Sequence, residues 1–421
     1  MRTLSIHTPE GVQDTLFEEC RHKRLVESDV MNVFEACGYF EVETPSYEYY
    51  DVFEGLDGIE PEKCFRFFDR RGRILTLRPD LTTPISRITA TKLERDGFPI
   101  RVSYLGNAFR YEDVEKGGRQ REFTQSGIEL LNDPTSEADA EIIVTTIKAL
   151  LATGLEEFRI EMGQVMFFQG LLEDAALSKE QTNQIADCIN MKDAFGLNAL
   201  LESISLSDEK KEILRRMTLT SGGEELLDQL AEAPLNQTSR SALANLKEVY
   251  GILAEYGFEK YVSIDLGMVQ SLKYYTGITF KGFTYGVGFP ICGGGRYDKL
   301  SRKFGAEISA TGAAISISRL ASVLYYQKKD YGKVHEDVLI AYAEGQRKEG
   351  IYLADMLRHE GYCVVMKKAD ASDRTYLAKR EIPCAFFLQA DGKVEMFDGT
   401  ESEFVDYEEL IKEEEAHSCD I

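Results

Sequence analysis

Two stretches, GNAFRYE at residues 106–112 and RQREFTQSGIE at residues 119–129, alternate polar or charged side chains with apolar ones. This alternation predicts two strands, and the charged, glycine-containing segment DVEKGG at residues 113–118 predicts the tip of a long hairpin between them. We expect one face of the hairpin to hold Arg110, Gln125 and Glu129 over a pocket. For an arbitrary antiparallel hairpin, a solvated outer face is the commoner arrangement.

The segments around the hairpin predict an α+β fold with an antiparallel sheet. A first helix that ends at a Gly38 cap is predicted by apolar residues at helical spacing, namely Val26, Val30, Val33, Phe34 and Cys37. Strand-like composition is found at residues 73–77, 101–105, 108–112 and 122–131. A later helix is predicted to start near Ser136, with Asp139 in a capping-box-like position.

Changes in composition divide the chain into a core of residues 1–330 and a small α/β domain of residues 337–421. Within the core, residues from about 170 to 257 are rich in Leu, Glu, Ala, Lys and Gln at helical periods, which predicts a helical insertion. The small domain combines predicted strands at residues 338–341, 363–366 and 385–388 with a helix at about 346–359.

The charge and the positions of the histidines exclude several classes of function. The formal net charge is −23, with 72 acidic and 49 basic residues. Because proteins bind polyanions by neutralising phosphates with Lys and Arg, a large tRNA-binding surface is disfavoured. No histidine lies between residues 23 and 334, so that region alone forms neither a Ser-His-Asp site nor a His-ligated metal site. The five histidines are His7, His22, His335, His359 and His417.

The chain has no sequence signal for a membrane or for export. Its first 14 residues lack the basic end and apolar run of a signal peptide, and no stretch approaches the roughly 20 apolar residues of a membrane span. The eight cysteines include no C-x-x-C pair, so neither a zinc knuckle nor a disulfide framework is predicted. We therefore expect a cytoplasmic protein with reduced thiols and no metal or other cofactor.

The hairpin resembles the second signature motif of class II aminoacyl-tRNA synthetases, F-R-x-E followed by a loop and R-x-F. Further landmarks resemble the histidyl-tRNA synthetase family in the right order, over nearly the whole chain except the helical insertion. They are TPEGVQD at residues 8–14, GYFEVETP at 38–45, LRPDLT at 77–82, YYTG at 274–277, GGRYD at 294–298 and a third motif at 312–320. The resemblance implies a class II synthetase-like fold, and a C-terminal domain similar to the family's anticodon-binding domain.

The resemblance also implies which residues bind ligands. Asp80, Thr82 and Gln125 would bind the α-amino group of histidine, and Glu129 with Tyr275 would face its imidazole. Arg110 and Tyr274 would complete this pocket. Carboxylates and amide oxygens are acceptors suited to an ammonium and to ring N–H groups. A vestigial ATP site would contain Arg119, Arg121, Phe123 and Arg319, although pairing of these arginines with nearby acids is an equally good interpretation.

The sequence departs from the family at the residues that form the adenylate. The family's R-G-L-D before Y-Y-T-G is replaced by QSLK, so that Gln270 stands for arginine and Lys273 for aspartate. Losing one such preorganised donor typically costs about 3 to 4 kcal/mol of transition-state stabilisation. The hairpin loop lacks the family's E-R-P, and SISR at residues 316–319 replaces G-L-E-R. Histidine binding without activation chemistry is therefore expected.

This combination resembles the regulatory subunits of ATP phosphoribosyltransferase, which are paralogues of histidyl-tRNA synthetase. The resemblance implies a non-catalytic subunit, needed by the short-form catalytic subunit in the first step of histidine biosynthesis and for feedback inhibition by free histidine. It also implies a homodimer, formed through residues 38–45, within a hetero-oligomer. The main alternative is an active histidyl-tRNA synthetase, and a further one is a histidine-binding adaptor for another enzyme.

Overall fold

The structure is a computed structural model that describes residues 6–56, 59–93, 97–111, 120–175, 177–219, 221–269, 275–327 and 335–418. The chain divides into two compact units, residues 1–331 and 332–421. Among the described residues, no helix is long and apolar enough to cross a membrane.

The first unit is built on an eight-stranded sheet with the strand order β1-β5-β6-β11-β10-β9-β7-β8. Its strands are β1 (Phe40–Glu41), β5 (Ile100–Phe109), β6 (Glu122–Leu131), β7 (Arg159–Gln164), β8 (Val262–Ile264), β9 (Ile278–Phe283), β10 (Cys292–Arg296) and β11 (Ala310–Ser316). All neighbouring pairs are antiparallel except β1 with β5 and β7 with β8. A separate three-stranded sheet contains β2 (Tyr47–Tyr49), β3 (Arg66–Phe68) and β4 (Ile74–Leu77).

Four helices accompany the two sheets: α1 (Phe17–Ala36), α2 (Thr82–Thr91), α3 (Ser136–Ala152) and α10 (Ile317–Tyr326). The predicted first helix is confirmed, and Gly38 follows its C-terminus with a φ of +85°. The predicted capping box at Ser136 is wrong. The Thr135 side chain caps α3 by accepting from the backbone N–H of Ala138, and Asp139 is directed to Arg296 instead.

The predicted hairpin is formed by β5 and β6, which pair from Ile100 with Leu131 to Phe109 with Glu122. Sequence composition divided the first strand at Gly106 and Asn107, whereas the structure has one continuous strand. The ladder continues because both residues stay paired with β6 and the Asn107 amide donates to Glu122 Oε1 at 2.7 Å. The predicted tip at residues 113–118 lies outside the described residues.

The helical insertion is confirmed as a group of six helices with a leucine-rich interior. They are α4 (Val165–Glu173), α5 (Lys179–Asn190), α6 (Ala194–Ser203), α7 (Asp208–Leu219), α8 (Glu224–Ala231) and α9 (Gln237–Glu255). An ion pair of 2.8 Å between Lys192, after α5, and Asp265, after β8, joins the insertion to the sheet.

The second unit is the predicted small α/β domain. Its mixed sheet has the order β13-β12-β14-β15-β16, with β12 parallel to both of its neighbours. Its elements are β12 (Val338–Tyr342), α11 (Arg347–His359), β13 (Val364–Lys368), α12 (Asp373–Arg380), β14 (Cys384–Leu388), β15 (Lys393–Phe397), β16 (Ser402–Asp406) and α13 (Tyr407–Ser418).

Candidate functional site

Glu129, near the open end of the β5–β6 hairpin, is a buried carboxyl group surrounded by hydroxyl groups. Its side chain accepts a hydrogen bond from the Tyr297 hydroxyl at 2.5 Å on Oε2 and from the Tyr104 hydroxyl at 3.3 Å on Oε1. The Thr82 hydroxyl hydrogen-bonds to the same carboxyl group. Glu129 is only 1% exposed, so its charge lies in a medium where a cationic partner is worth far more than in water.

Glycines on β6, β11 and β10 leave the space that Glu129 and its neighbours occupy. A Cβ atom at Gly312, which pairs with Glu129, would lie 1.5 Å from Oε2. A Cβ at Gly127 would lie 2.3 Å from the Tyr104 hydroxyl, and one at Gly295 would lie 3.0 Å from the Tyr275 ring. The sheet therefore requires small residues at this place, which is what a ligand site on a sheet surface needs.

Gln125 and Glu129 lie on the same face of β6, because side chains alternate along a strand. Gln125 is half-buried and pairs with Gly106 on β5 and Ser316 on β11. The two side chains thus lie on one face with Gly127 between them, as the spacing of four predicts.

Asp80 lies at the start of α2, next to Glu129. Its carboxylate accepts from the backbone N–H of Thr83 at 2.8 Å and from the Thr83 hydroxyl at 3.1 Å. Arg110 approaches from β5: its Nε donates to the carbonyl of Pro79 at 2.8 Å, and its charge opposes the rise of the Asp80 pKa. The segment that leads into α2 therefore brings Asp80 and Thr82 to the Glu129 carboxyl group, and Arg110 lies near Asp80.

Tyr275 is held in place by a network behind the pocket. The next residue, Thr276, donates its N–H to the carbonyl of Arg296 at 2.7 Å and its hydroxyl to Asp298 at 2.9 Å. Arg296 is itself buried and ion-paired with Asp139 at 3.0 Å. This network fixes the chain on both sides of the pocket, because Tyr275 and Tyr297 adjoin its members.

The electrostatics of the pocket favour a cation. Burial raises the pKa of Glu129 to about 8, and the nearby charge of Asp80 adds to this rise. Burial also raises the pKa of Asp80, and burial and Glu129 raise that of Tyr275. Two buried carboxyl groups close together favour a bound positive group, because such a group removes both the desolvation cost and the mutual repulsion.

The residues predicted for a vestigial ATP site are held by protein groups. Arg121 donates its backbone N–H to the Gly11 carbonyl at 2.7 Å, donates Nη1 to the Glu10 carbonyl at 3.3 Å and lies 4.2 Å from the Tyr111 ring centre. Arg319 donates Nη1 to the Pro290 carbonyl at 2.7 Å. Phe123 is half-buried, with the Arg110 guanidinium 5.6 Å from its ring centre.

Several predicted residues fall outside the described part of the chain. They are Arg119, within residues 112–119, and Tyr274, within residues 270–274. The departures at Gln270 and Lys273, on which the predicted loss of adenylation rests, are in the same segment.

Comparison with known proteins identifies the family. The histidyl-tRNA synthetase family profile matches residues 11–320. An ATP phosphoribosyltransferase regulatory subunit from Acetivibrio thermocellus is 48% identical over 86% of this chain and 87% of its own. The chain belongs to the ATP phosphoribosyltransferase regulatory subunit family. Another member of this family, from Ruminiclostridium cellulolyticum, is 42% identical over 94% of this chain and 96% of its own.

A solved structure agrees with this family assignment. The crystal structure of an ATP phosphoribosyltransferase regulatory subunit/histidyl-tRNA synthetase from Bacillus halodurans aligns with a TM-score of 0.83 and 30% sequence identity. The alignment covers 92% of this chain and 99% of that one. The predicted class II synthetase-like fold is therefore confirmed.

Sequence analysis missed two residues of the pocket, Tyr104 and Tyr297. Tyr297 lies in the recognised GGRYD stretch, so its position was noticed but its role was not. Tyr104 carried a weaker signal, since it is one of several aromatic residues in an apolar strand. Both contact Glu129 only through the tertiary fold, across 168 and 25 residues of sequence.

Proposed function

We propose that this chain binds free histidine at the Glu129 pocket and, in the cytoplasm, regulates a short-form ATP phosphoribosyltransferase catalytic subunit. The catalytic subunit would depend on it for activity in the first step of histidine biosynthesis, and histidine in the pocket would inhibit that activity. The family membership supports the regulatory role, and the pocket supports histidine as the effector.

The observation that carries the proposal is the buried Glu129 carboxylate, held by two tyrosine hydroxyls on a floor of glycines. A carboxylate of this kind accepts a strong hydrogen bond from the N–H of an imidazole. Gln125 and Asp80 offer further oxygen acceptors for the α-ammonium group. Arg110, whose Nε donates to the Pro79 carbonyl, would meet the carboxylate of the amino acid with its remaining guanidinium donors.

We propose that the chain does not itself charge tRNA. Gln270 and Lys273 replace an arginine and an aspartate that the synthetases use, and a neutral amide does not stabilise developing negative charge as a guanidinium does. The carbonyl and aromatic partners of Arg121 and Arg319 are consistent with a structural use of these arginines.

The charge of residues 332–421 also makes tRNA an improbable partner. This unit, which begins a few residues before the proposed domain of 337–421, contains 11 Lys and Arg against 21 Asp and Glu. Some of its basic side chains are paired with acids, as Lys367 is with Asp370 at 3.0 Å and with Asp373, and Lys368 with Glu344. Cations that are already neutralised in this way have little left to offer a phosphate backbone.

The proposed homodimer has a candidate surface in the three-stranded sheet and the adjoining β1. Exposed large apolar side chains are concentrated there, and they are Phe40, Tyr47, Tyr49, Phe67, Phe68 and Ile74. Aromatic residues are enriched in protein interfaces and are costly to leave in water. Because β1 lies within residues 38–45 and β2 follows them closely, we propose that a second copy of the chain covers this surface.

The decisive experiment is reconstitution with a short-form catalytic subunit. Formation of phosphoribosyl-ATP is measured for the catalytic subunit alone, for the mixture, and for the mixture with histidine. We expect activity only in the mixture, and inhibition by histidine. If the mixture forms no complex and gains no activity, the regulatory role is wrong. If a complex forms but histidine inhibits the catalytic subunit alone equally well, the effector site lies on the catalytic subunit.

The alternative of an active histidyl-tRNA synthetase is tested by a different assay. The alternative retains support from the sequence, because five residues match positions that serve ATP in the synthetases: Arg110, Arg119, Arg121, Phe123 and Arg319. Charging of tRNA with histidine by the purified chain would establish it. A histidine-binding adaptor would instead bind histidine without associating with the catalytic subunit.

A further inference from the structure

Arg78 is a buried cation whose side chain donates to the segment proposed for self-association. It is 4% exposed. Its Nη1 donates to the Thr44 carbonyl at 2.5 Å and to the Thr44 hydroxyl at 3.2 Å. Its backbone N–H donates to the Ser46 carbonyl at 3.0 Å. Arg78 therefore hydrogen-bonds through its side chain to the end of the 38–45 segment and through its main chain to the residue that follows it.

The same residue is bonded to the hairpin that carries the pocket. Its Nε donates to the Asn107 carbonyl at 2.8 Å, and its own carbonyl accepts from the Phe109 N–H at 3.0 Å. A Cβ at Gly106 would lie only 2.3 Å from Nη2, so a glycine at that position gives the guanidinium its room. Arg78 thus bridges two elements that the sequence separates by more than 50 residues.

The two residues after Arg78 belong to the proposed histidine site. The Pro79 carbonyl holds Arg110 at 2.8 Å, and Asp80 binds the N-terminus of α2 through Thr83. A displacement of Arg78 would move this carbonyl and this carboxylate with it, because the main chain between them is only two residues long.

Burial of the charged Arg78 guanidinium costs free energy that a residue with a purely structural role need not cost. Burial lowers its pKa, and in the described part of the chain the acceptors of its side chain are oxygens of Thr44, Pro45 and Asn107. A buried guanidinium bonded to neutral oxygens is less stabilised than one paired with a carboxylate. Its planar fork, however, fixes several acceptors in one geometry, which a flexible apolar side chain does not.

We propose that Arg78 is a positioning residue that couples the 38–45 segment to the histidine pocket, so that histidine binding and self-association are thermodynamically linked. This inference rests on the proposed function for the ligand and for the pairing segment. Linkage is reciprocal: the factor by which histidine changes the dimer dissociation constant equals the factor by which dimerisation changes histidine affinity.

The test uses the full chain with Arg78→Lys, which keeps the charge and loses the fork. Histidine affinity is measured by calorimetry, and the dimer dissociation constant by sedimentation with and without histidine. In the wild type, we expect histidine to change the dimer constant by at least about fivefold, the lower end of typical allosteric coupling. In Arg78→Lys, we expect weaker histidine binding and a factor close to one.

Arg159→Lys is the control for the loss of the fork, because Arg159, an exposed residue at the far edge of the eight-stranded sheet, also donates to two backbone carbonyls, those of Lys260 and Val262. It should keep the wild-type linkage. A merely structural Arg78 would lower the melting temperature and leave the linkage intact. Wild-type linkage in a folded Arg78→Lys, or no linkage in a wild type that binds histidine, would overturn the proposal. If Arg78→Lys does not fold, Thr44→Val removes one acceptor and should weaken the linkage in the same direction.

Hydrogen exchange separates this inference from the proposed function. Peptides that cover residues 42–48 and 79–85 are followed in the wild type and in Arg78→Lys without any ligand. Faster exchange in both peptides supports a mechanical coupling of the two segments through Arg78. This result does not depend on histidine binding, so it is informative even if calorimetry detects none and the assignment of histidine as the effector is wrong. Faster exchange in only one peptide, or in neither, contradicts the coupling.

Discussion

The Tyr297 hydroxyl donates a hydrogen bond of 2.5 Å to Oε2 of Glu129, and the two residues lie 168 positions apart in the sequence. Tyr297 enters the pocket directly after β10, whereas Glu129 lies near the C-terminal end of β6. The bond orients a buried carboxylate that would otherwise have several rotamers. An oriented acceptor is what a selective site for an imidazole requires.

Replacement of Glu129 by alanine should weaken the binding of histidine. A charge-assisted hydrogen bond in a closed site is worth about 1.5 to 3 kcal/mol, so Glu129→Ala should weaken binding roughly ten- to a hundredfold. In the reconstituted complex, the histidine concentration for half inhibition should rise in parallel, while uninhibited activity changes little. Calorimetry and inhibition curves measure the two effects. Glu161→Gln on β7 is the control, and unchanged affinity in Glu129→Ala would place the feedback site elsewhere.

The two tyrosines on Glu129 should differ in importance. Tyr297 is 2.5 Å from the carboxylate and Tyr104 is 3.3 Å from it, so Tyr297 makes the stronger bond. Tyr297→Phe should therefore weaken histidine binding by about three- to tenfold and Tyr104→Phe by less, since a net hydrogen bond is worth about 0.5 to 1.5 kcal/mol. Calorimetry on both variants provides the measurement, and the reverse order of effects would contradict the geometry.

Histidine affinity should increase with pH between 7 and 8.5. Burial raises the pKa of Glu129 to about 8, so most of the free protein carries a neutral carboxyl group at pH 7. A bound cation or N–H donor favours the ionised form of Glu129, so histidine binding releases a proton from its carboxyl group. The affinity therefore rises with pH and levels off above the pKa of Glu129, where the free protein is already ionised. With a pKa near 8, the gain over this range is roughly five- to tenfold.

Calorimetry in two buffers of different ionisation enthalpy checks this proton release at pH 7.5. The release of a proton on histidine binding should be absent in Glu129→Gln, because the amide has no acidic proton to release. An affinity that stays flat or falls between pH 7 and 8.5 would show that the carboxyl group binds histidine in its protonated form.

The exposed aromatic side chains of the three-stranded sheet should control self-association. Tyr47→Ser with Phe67→Ser removes two exposed rings that contact each other edge to face at 6.1 Å. We expect the dimer dissociation constant to rise by at least about tenfold, because buried aromatic anchors carry most of the energy of an interface. Light scattering over a concentration series measures this. Phe195→Ser, at an exposed ring of the helical insertion, should leave the dimer intact, and a wild-type chain that is monomeric at micromolar concentration would contradict the proposal.

The purified chain should catalyse no histidine-dependent exchange of pyrophosphate into ATP. Gln270 and Lys273 stand where the synthetases have an arginine and an aspartate, and Gln270→Arg alone should not restore exchange because Lys273 and the altered hairpin loop remain. Exchange above a blank without protein would favour the synthetase alternative. Strong rescue by Gln270→Arg would mean that the other departures matter little.

The local patterns of the sequence determined the main elements of this protein. Alternation along residues 106–129 predicted the hairpin, and helical periodicity predicted α1 and the insertion, because both signals depend only on near neighbours. The motif residues also placed Gln125 and Glu129 on one face of a strand, since that relationship follows from a spacing of four. Local patterns were less reliable at boundaries, as the cap at Thr135 and the continuous β5 show.

Only the tertiary structure decided what surrounds these residues. The tyrosines on Glu129, the glycine that makes room for its carboxylate and the carbonyls that hold Arg121 and Arg319 come from distant parts of the chain. Arg78 appeared in the sequence only as one letter of a motif, and its bonds to Thr44 and Asn107 depend on how two sheets meet. The physical reason is that burial and hydrogen-bond partners depend on distance in space, which one sequence records only for neighbours along the chain.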